Sequence, residues 1–388
     1  MKIAICGAGI AGGTLAYWLL RAGHEPFLVE RAPALRTGGY VMDFWGHGYT
    51  IAERMGILPA VLARGYQVER LDLVDDHGRA RGGFAVTAMR ELTQGRLTTL
   101  ARSDLAAEIF RALAGRVEIL FGDSLARFEE TPSGVELELE SGARRKVDLL
   151  IGADGVHSRV RRLAFGDGFE HDLGYRIAAF SCQGYRPRDE WVYVMHGAPS
   201  REIARFALRD DRTLFLLVFR SALAPEAHPA DDAEIRALLR SVFSGMGWES
   251  EAILARLDAA SDLYYDRVSQ VRAPRWSRGR IALVGDAGMA PSPMAGEGAG
   301  LAMLEAYVLA GELARDAASG LAAYESKLRD FVDGKQRAAA RFASSFAPRT
   351  EFGLWLRSRA SRLTALPGMA RLMLGAVVRD DLALPDYG

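Results

Sequence analysis

The chain of 388 residues has only two cysteines, Cys6 and Cys182, and its seven histidines are scattered. Two thiols so far apart form no disulfide framework and no Cys/His metal cluster, which fits a reducing cytoplasm. His157, His171 and His196 lack ligand spacing, so no structural metal is expected. Net charge is also lacking: 49 basic residues balance 49 acidic ones. That removes the electrostatic case for nucleic acid as the main partner. No apolar run reaches the length of a membrane span, so stable membrane insertion is not expected. A secretory leader is not read at the start either, because glycines interrupt the apolar stretch and a charged residue closes a βαβ pattern.

What is present is concentrated in the first thirty residues. Lys2 to Cys6 is an apolar run long enough for one buried strand. Gly7, Gly9 and Gly12 follow at the G-x-G-x-x-G spacing, with Ala11 inside the turn. A helix is predicted over Thr14–Leu20, with Gly23 as its stop, and a second strand over Pro26–Val29 ending on Glu30. Gly7 permits a tight turn, Gly9 lets backbone approach a pyrophosphate, and Gly12 lets the helix pack on the strand. The helix N-terminus offers free N–H groups to phosphate, and Glu30 suits the hydroxyls of an adenosine ribose. The pattern indicates a dinucleotide site without distinguishing FAD from NAD(P). Arg31 and Arg36, the latter just before a glycine pair, read either as contacts to a cofactor phosphate or as surface arginines.

Further along, Ile51–Leu58 reads as a helix and Val68–Val74 as a strand. Ser103 is the expected N-cap of a helix to about Leu113, with Arg102 just before it. Strands are predicted over Val117–Gly122, Val135–Glu140 and Lys146–Ile151. The last runs into Gly152-Ala-Asp154-Gly155, a glycine turn at a strand's carboxyl end. Four strand-like stretches between Tyr175 and Phe219 lack intervening helices, so a mostly antiparallel sheet is expected there. Another buried strand, Arg280–Val284, opens into the glycine-rich loop from Gly285-Asp286 to Gly300, and a long helix follows. Pro291 and Pro293 are expected to keep that loop extended. Leu321–Ala347 reads as helical, and the basic amphipathic stretch Leu354–Val378 reads as a docked helix rather than a membrane-surface one.

These motifs together resemble the single-component FAD-dependent aromatic hydroxylases, the group that includes para-hydroxybenzoate hydroxylase and the tetracycline-inactivating monooxygenases. The resemblance rests on Gly7-Ala-Gly-Ile-Ala-Gly12 with Glu30, on Gly152–Gly155 with Ser158 and Arg159, and on Gly285-Asp286-Ala287 through Pro293 and Gly296–Gly298. It implies an α/β chain: a Rossmann-like FAD-binding domain, a second, mostly antiparallel β-sheet substrate domain, and a C-terminal helical segment. The corresponding spans are 1–72, 97–170 and 266–340 for FAD, 73–96 and 171–265 for substrate, and 341–388 for the C-terminal helices. It also implies that Gly7, Gly9, Ala11 and Gly12 hold the FAD pyrophosphate, that Glu30 holds the ribose, and that Leu125 meets the adenine. Arg102 and Asp286 would serve the phosphate and ribityl region. Asp154 and Gly155 would serve FAD and the nicotinamide co-substrate, and Pro293, Gly296 and Gly298 would lie against the isoalloxazine.

The implied activity is hydroxylation of an aromatic or polycyclic small molecule with NAD(P)H and O2 through a flavin C4a-hydroperoxide. Alternatives are Baeyer–Villiger oxygenation on the same scaffold, a flavin-free dehydrogenase, and a flavin-binding protein without turnover. The tryptophan-rich motif of flavin halogenases is absent. Two departures from the family pattern stand out: Gly288-Met289 replaces Ala-His, and Glu297 replaces Gln. A carboxylate at 297 would oppose an anionic reduced flavin unless it points away or is protonated. No catalytic acid or base is assigned; Arg205, Tyr193, His196 and Tyr264 fall in the substrate region.

Overall fold

A computed structural model describes residues 1–35, 40–363, 369 and 380–387. Arg36, and the part of the basic C-terminal stretch beyond 363 other than 369, lie outside the described residues.

The strand Lys2–Cys6 is buried along four of its five residues, as a central strand covered on both faces must be. It pairs in parallel with Glu25–Glu30 on one side and Leu149–Gly152 on the other. Ile281–Leu283 and Glu118–Phe121 extend the same parallel sheet, and Ser277–Arg278 adds an antiparallel edge. The helix Ile10–Arg21 crosses between the first two strands and is buried along nearly its whole length. It ends near Gly23, whose φ of +78° completes the expected stop. The helix Gly298–Arg315 is apolar around most of its circumference because it is sandwiched between Ile10–Arg21 and the long helix Gly320–Phe346.

The second layer is a seven-stranded sheet containing Glu170–Gln183, Val192–Ala198, Arg201–Ala207, Arg212–Arg220 and Tyr264–Val271. All of these pair antiparallel, as expected from the missing helices. Arg70–Val74 joins by parallel pairing to Val192–His196, and Ala80–Ala85 forms the edge. The helices Asp232–Phe243 and Ser250–Leu254 cover the outer face through Phe180, Phe215, Leu217 and Phe219. A two-stranded ribbon, Val41–Trp45 with Leu97–Ala101, lies between the two layers.

Several local expectations are corrected. The helix expected from Ile51 starts at Gly46, and a second one covers Leu58–Arg64. Ser103 is not an N-cap: the helix begins at Arg102, because the ribbon pairing runs through Ala101 and the chain turns directly into the helix. The single strand expected over Lys146–Ile151 is broken at Asp148, whose carboxylate accepts from the Lys2 N–H at 2.7 Å. The polar stretch after Arg79 contains both the edge strand and a short helix, Thr87–Leu92. Among the described residues, no helix is long and apolar enough to cross a membrane.

Candidate active site

Three glycine turns meet at the carboxyl ends of neighbouring parallel strands. Gly7 sits at φ +109°, and a Cβ there would stand 2.4 Å from the Ala153 carbonyl oxygen. A Cβ on Gly12 would stand 2.0 Å from the Gly7 oxygen, and one on Gly285 would stand 2.9 Å from the Ala11 Cβ. The first motif is therefore packed against the second and the third, although the third is about 280 residues away in sequence. Backbone bonds fix the same meeting: Ala153 N–H donates to Cys6 O at 2.7 Å and Val284 N–H to Gly152 O at 2.9 Å. Gly9 is different, because a Cβ there would meet nothing within 4 Å among the described residues. No side chain caps the helix that starts after Gly9. Its first N–H groups and the open side of Gly9 form a cradle for an anionic group.

Glu30 closes one end of the cradle. Its carboxylate accepts from Ala8 N–H at 2.8 Å and from Ala32 N–H at 2.9 Å, which aims it beside the glycine turn. Arg31 beside it is exposed. Asp123 N–H donates to the Glu30 carbonyl at 3.1 Å, and buried Leu125 begins the next strand two residues on.

Asp154 holds the helix behind the site. Its carboxylate accepts from the N–H groups of Arg159 at 2.7 Å and Val160 at 3.1 Å, and from the Ser158 hydroxyl. Burial pushes its pKa up, and these bonds oppose the rise. Gly155, at φ +80° with open space around it, is the member of the pair that presents free backbone.

At the other end, Asp286 faces Arg102 across 3.8 Å. Burial raises the Asp286 pKa, and the guanidinium partly offsets this. Tyr40 lies beside the same arginine, and its ring is 5.9 Å from that of Tyr264. Pro293 does not hold the loop extended. It opens a 3₁₀ turn, Pro293–Ala295, whose Met294 N–H is capped by Ser292 at 3.2 Å. A Cβ on Gly296 would lie 3.7 Å from the Trp45 ring, and one on Gly298 3.9 Å from Asp286 Oδ1. Behind the loop, fully buried Glu305 accepts from Gly285 N–H at 2.5 Å, and its Oε1 has no partner among the described residues. Burial pushes the pKa of that carboxyl well up, which favours its neutral form.

The two departures from the family pattern have physical explanations. Met289 is a buried core residue. Glu297 turns to Lys335, 2.9 Å away, and Lys335 also reaches Asp380 at 2.9 Å. Asp380 in turn accepts from His47 N–H at 2.7 Å. Burial pushes Glu297 up to about 7, with Lys335 pulling the other way.

The structure splits the four side chains named in the substrate region. Along Val192–Ala198 and Arg201–Ala207, alternate residues face opposite sides. His196 is locked between the carbonyls of Val74 and Met246, and Arg205 binds Asp189 and Glu249 beside Trp248, all on the outer face. Tyr193 and Tyr264 face inward. Tyr193 joins an apolar cluster with Trp45, Tyr66 and Phe206, and Tyr264 one with Met294 of the loop. Two residues that the sequence reading passed over also face inward: Asp43, and Thr99, whose hydroxyl donates to it. The signal was a lone acid within the apolar run Val-Met-Asp-Phe-Trp.

A parallel sheet with an uncapped helix, an acid at the second strand end and a distant strand–loop–helix closing the crevice defines a dinucleotide-binding fold. The chain belongs to the family described as FAD binding domain, whose model matches residues 1–338. Its relatives place it among flavin-dependent monooxygenases. It is 33% identical over 358 residues to a flavin-dependent monooxygenase of an unknown prokaryotic organism, covering 89% of this chain and 90% of that one. A flavin-dependent monooxygenase of Legionella longbeachae serogroup 1 (strain NSW150) is 32% identical over 377 residues, covering 90% and 91%. The crystal structure of tetracycline destructase Tet(55) superposes with a TM-score of 0.85 at 29% identity, covering 100% of this chain and 98% of that one. The α/β fold and the family resemblance read from the three motifs are thereby borne out.

Proposed function

We propose that the chain is an FAD monooxygenase that uses NAD(P)H and O2 to hydroxylate an electron-rich aromatic or polycyclic small molecule. The observation that carries this reading is the pairing of the nucleotide cradle with an aromatic wall. Trp45, Tyr66, Tyr193 and Phe206 cluster beside the loop that would hold the flavin ring. Bound FAD supplies the redox chemistry, taking a hydride from the nicotinamide and activating oxygen.

The protein's part is placement. Gly7, Gly9, Ala11 and Gly12 receive the pyrophosphate on the helix N-terminus, Glu30 the adenosine ribose, and Leu125 the adenine side. Arg31, exposed and next to Glu30 in sequence, would add positive potential there. Arg102 and Asp286 take the phosphate and ribityl hydroxyls. Gly155 offers backbone while Asp154 keeps its turn in shape, on the side where the nicotinamide would approach. Pro293, Gly296 and Gly298 would hold the ring, and the N–H groups at the start of Gly298–Arg315 would stabilise negative charge on it. Lys335 neutralises Glu297, so the family's usual Gln is replaced without leaving an opposed charge. The likeness to Tet(55) makes tetracycline a sensible first polycyclic probe.

The test is an absorbance spectrum of purified protein, followed by anaerobic NADPH and then NADH, with and without aromatic compounds. Flavin bands that bleach faster with an aromatic present are expected. Colourless protein that fails to take up added FAD would overturn the reading.

A further inference from the structure

Asp43 occupies an unusual position. It lies on the ribbon strand Val41–Trp45, whose Met42 and Phe44 point into the main core. Val41 and Trp45 point the other way, into the aromatic cluster with Tyr193 and Phe206, and Asp43 shares their face by alternation. It is paired across the ribbon with Thr99, and the Thr99 hydroxyl donates to its Oδ1. Its Oδ2 accepts no hydrogen bond from any described residue, and no described cation forms an ion pair with it. Asp43 is partly buried. Asp43 also borders a small cavity shared with Trp45, Gly296, Glu297 and Gly300, which places it next to the flavin loop.

A carboxyl in apolar surroundings is costly unless donors satisfy it. Here one donor is supplied by the protein and one acceptor position is left open toward the aromatic wall. Burial pushes its pKa up, with Thr99 opposing. The same burial, and then the nearby Asp43 charge, push Tyr193 up, so that phenol stays neutral and does not compete as an anion.

We propose that Asp43 is the specificity-determining residue of this site: its free Oδ2 accepts a hydrogen bond from a hydroxyl or N–H on the substrate ring. This rests on the monooxygenase reading above. The contact selects rings carrying a donor over equally sized rings without one. It also fixes which edge of the ring turns to the ribbon and which carbon turns to the flavin. A hydroxyl hydrogen-bonded to a carboxylate makes its ring more electron-rich, which favours attack by an electrophilic oxygen.

The experiment uses the full chain loaded with FAD and matched pairs of aromatics: 2-naphthol against 2-methoxynaphthalene, and resorcinol against 1,3-dimethoxybenzene. Binding is read from the perturbation of the flavin spectrum, and coupling from the rate of NAD(P)H oxidation. Wild type is expected to prefer the hydroxylated member of at least one pair by roughly tenfold or more. Asp43→Ala should abolish that preference, and Asp43→Asn, which keeps the shape, should remove most of it. Both should retain FAD. If Asp43→Ala fails to fold, Asp43→Asn decides. No preference in wild type, or a preference that survives Asp43→Asn, overturns the proposal. Wild type that takes up no FAD instead fails the monooxygenase reading, so the two failures are distinct.

Discussion

Glu297 and Lys335 stand 2.9 Å apart, each side chain about nine-tenths buried, where a glycine loop meets a long helix. The pair ties the region that would hold the flavin ring to the helix Gly320–Phe346 and, through Asp380, to the last described residues. A carboxyl raised to about 7 in the folded chain binds its proton more tightly than in the unfolded chain, where its pKa is 4.5. Stability from this group is thus fully present below about pH 4.5 and is lost as pH rises through about 7. Glu297→Gln should flatten the fall of the melting temperature between those values. An unchanged slope would show that Glu297 is not the titrating group.

Lys335→Met should be much more harmful than Glu297→Gln. It strands two buried carboxyls, and breaking such a pair from one side costs about 3–5 kcal/mol. Denaturant unfolding at pH 8 checks the value. The double variant Glu297→Gln with Lys335→Met should recover part of the loss.

Gly7 and Gly9 should respond in opposite ways to the same methyl group. Gly7→Ala drives a Cβ into the Ala153 carbonyl at a positive φ and should cost several kcal/mol of stability or prevent folding. Gly9→Ala adds its methyl to open space, so stability without FAD should stay within about 0.5 kcal/mol of wild type. If that space receives the pyrophosphate, FAD affinity should fall by about tenfold or more. Melting curves with and without FAD separate the two effects.

Glu305 should tolerate the amide and resist the hydrocarbon. Glu305→Gln preserves an acceptor for Gly285 N–H and replaces a carboxyl whose neutral form burial already favours. Glu305→Leu leaves that buried N–H unpaired, at a cost of about 1–3 kcal/mol. Chemical denaturation of the two variants should rank them in that order.

Arg102→Ala should weaken FAD binding and raise the Asp286 pKa further, because the cation now offsets part of the burial. Arg102→Lys should restore part of the affinity. Flavin fluorescence on dilution measures both. Equal retention in all three proteins would remove Arg102 from the site.

The nucleotide half was legible because its constraints are local. A tight turn, a close helix and a strand-end acid each demand a residue type at a fixed spacing, and Gly7, Gly12 and Glu30 meet those demands in sequence order. The meeting of Gly285 with Ala11 was readable only as two similar motifs; their contact is a product of strand order. The inward face was not legible. Whether Tyr193 or His196 turns toward the ribbon depends on register in a sheet assembled from distant strands, and a shift of one residue exchanges them. Asp43 was hidden for the same reason, since its meaning comes from Thr99 across the ribbon. Glu297 was noticed as a departure, but its partner is on a helix whose facing the sequence alone did not determine.

The last described residues also bear on how the protein should be handled. Tyr387 lies on the bare backbone at Gly311, where a Cβ would stand 2.2 Å from its ring, and its hydroxyl donates to Glu312 at 2.5 Å. The Pro385 carbonyl accepts from Arg54 at 2.9 Å and from Tyr307 at 3.0 Å. These contacts brace the helix that begins at Gly298, so trimming the chain before Asp380 to aid crystallisation would uncover apolar surface beside the flavin loop.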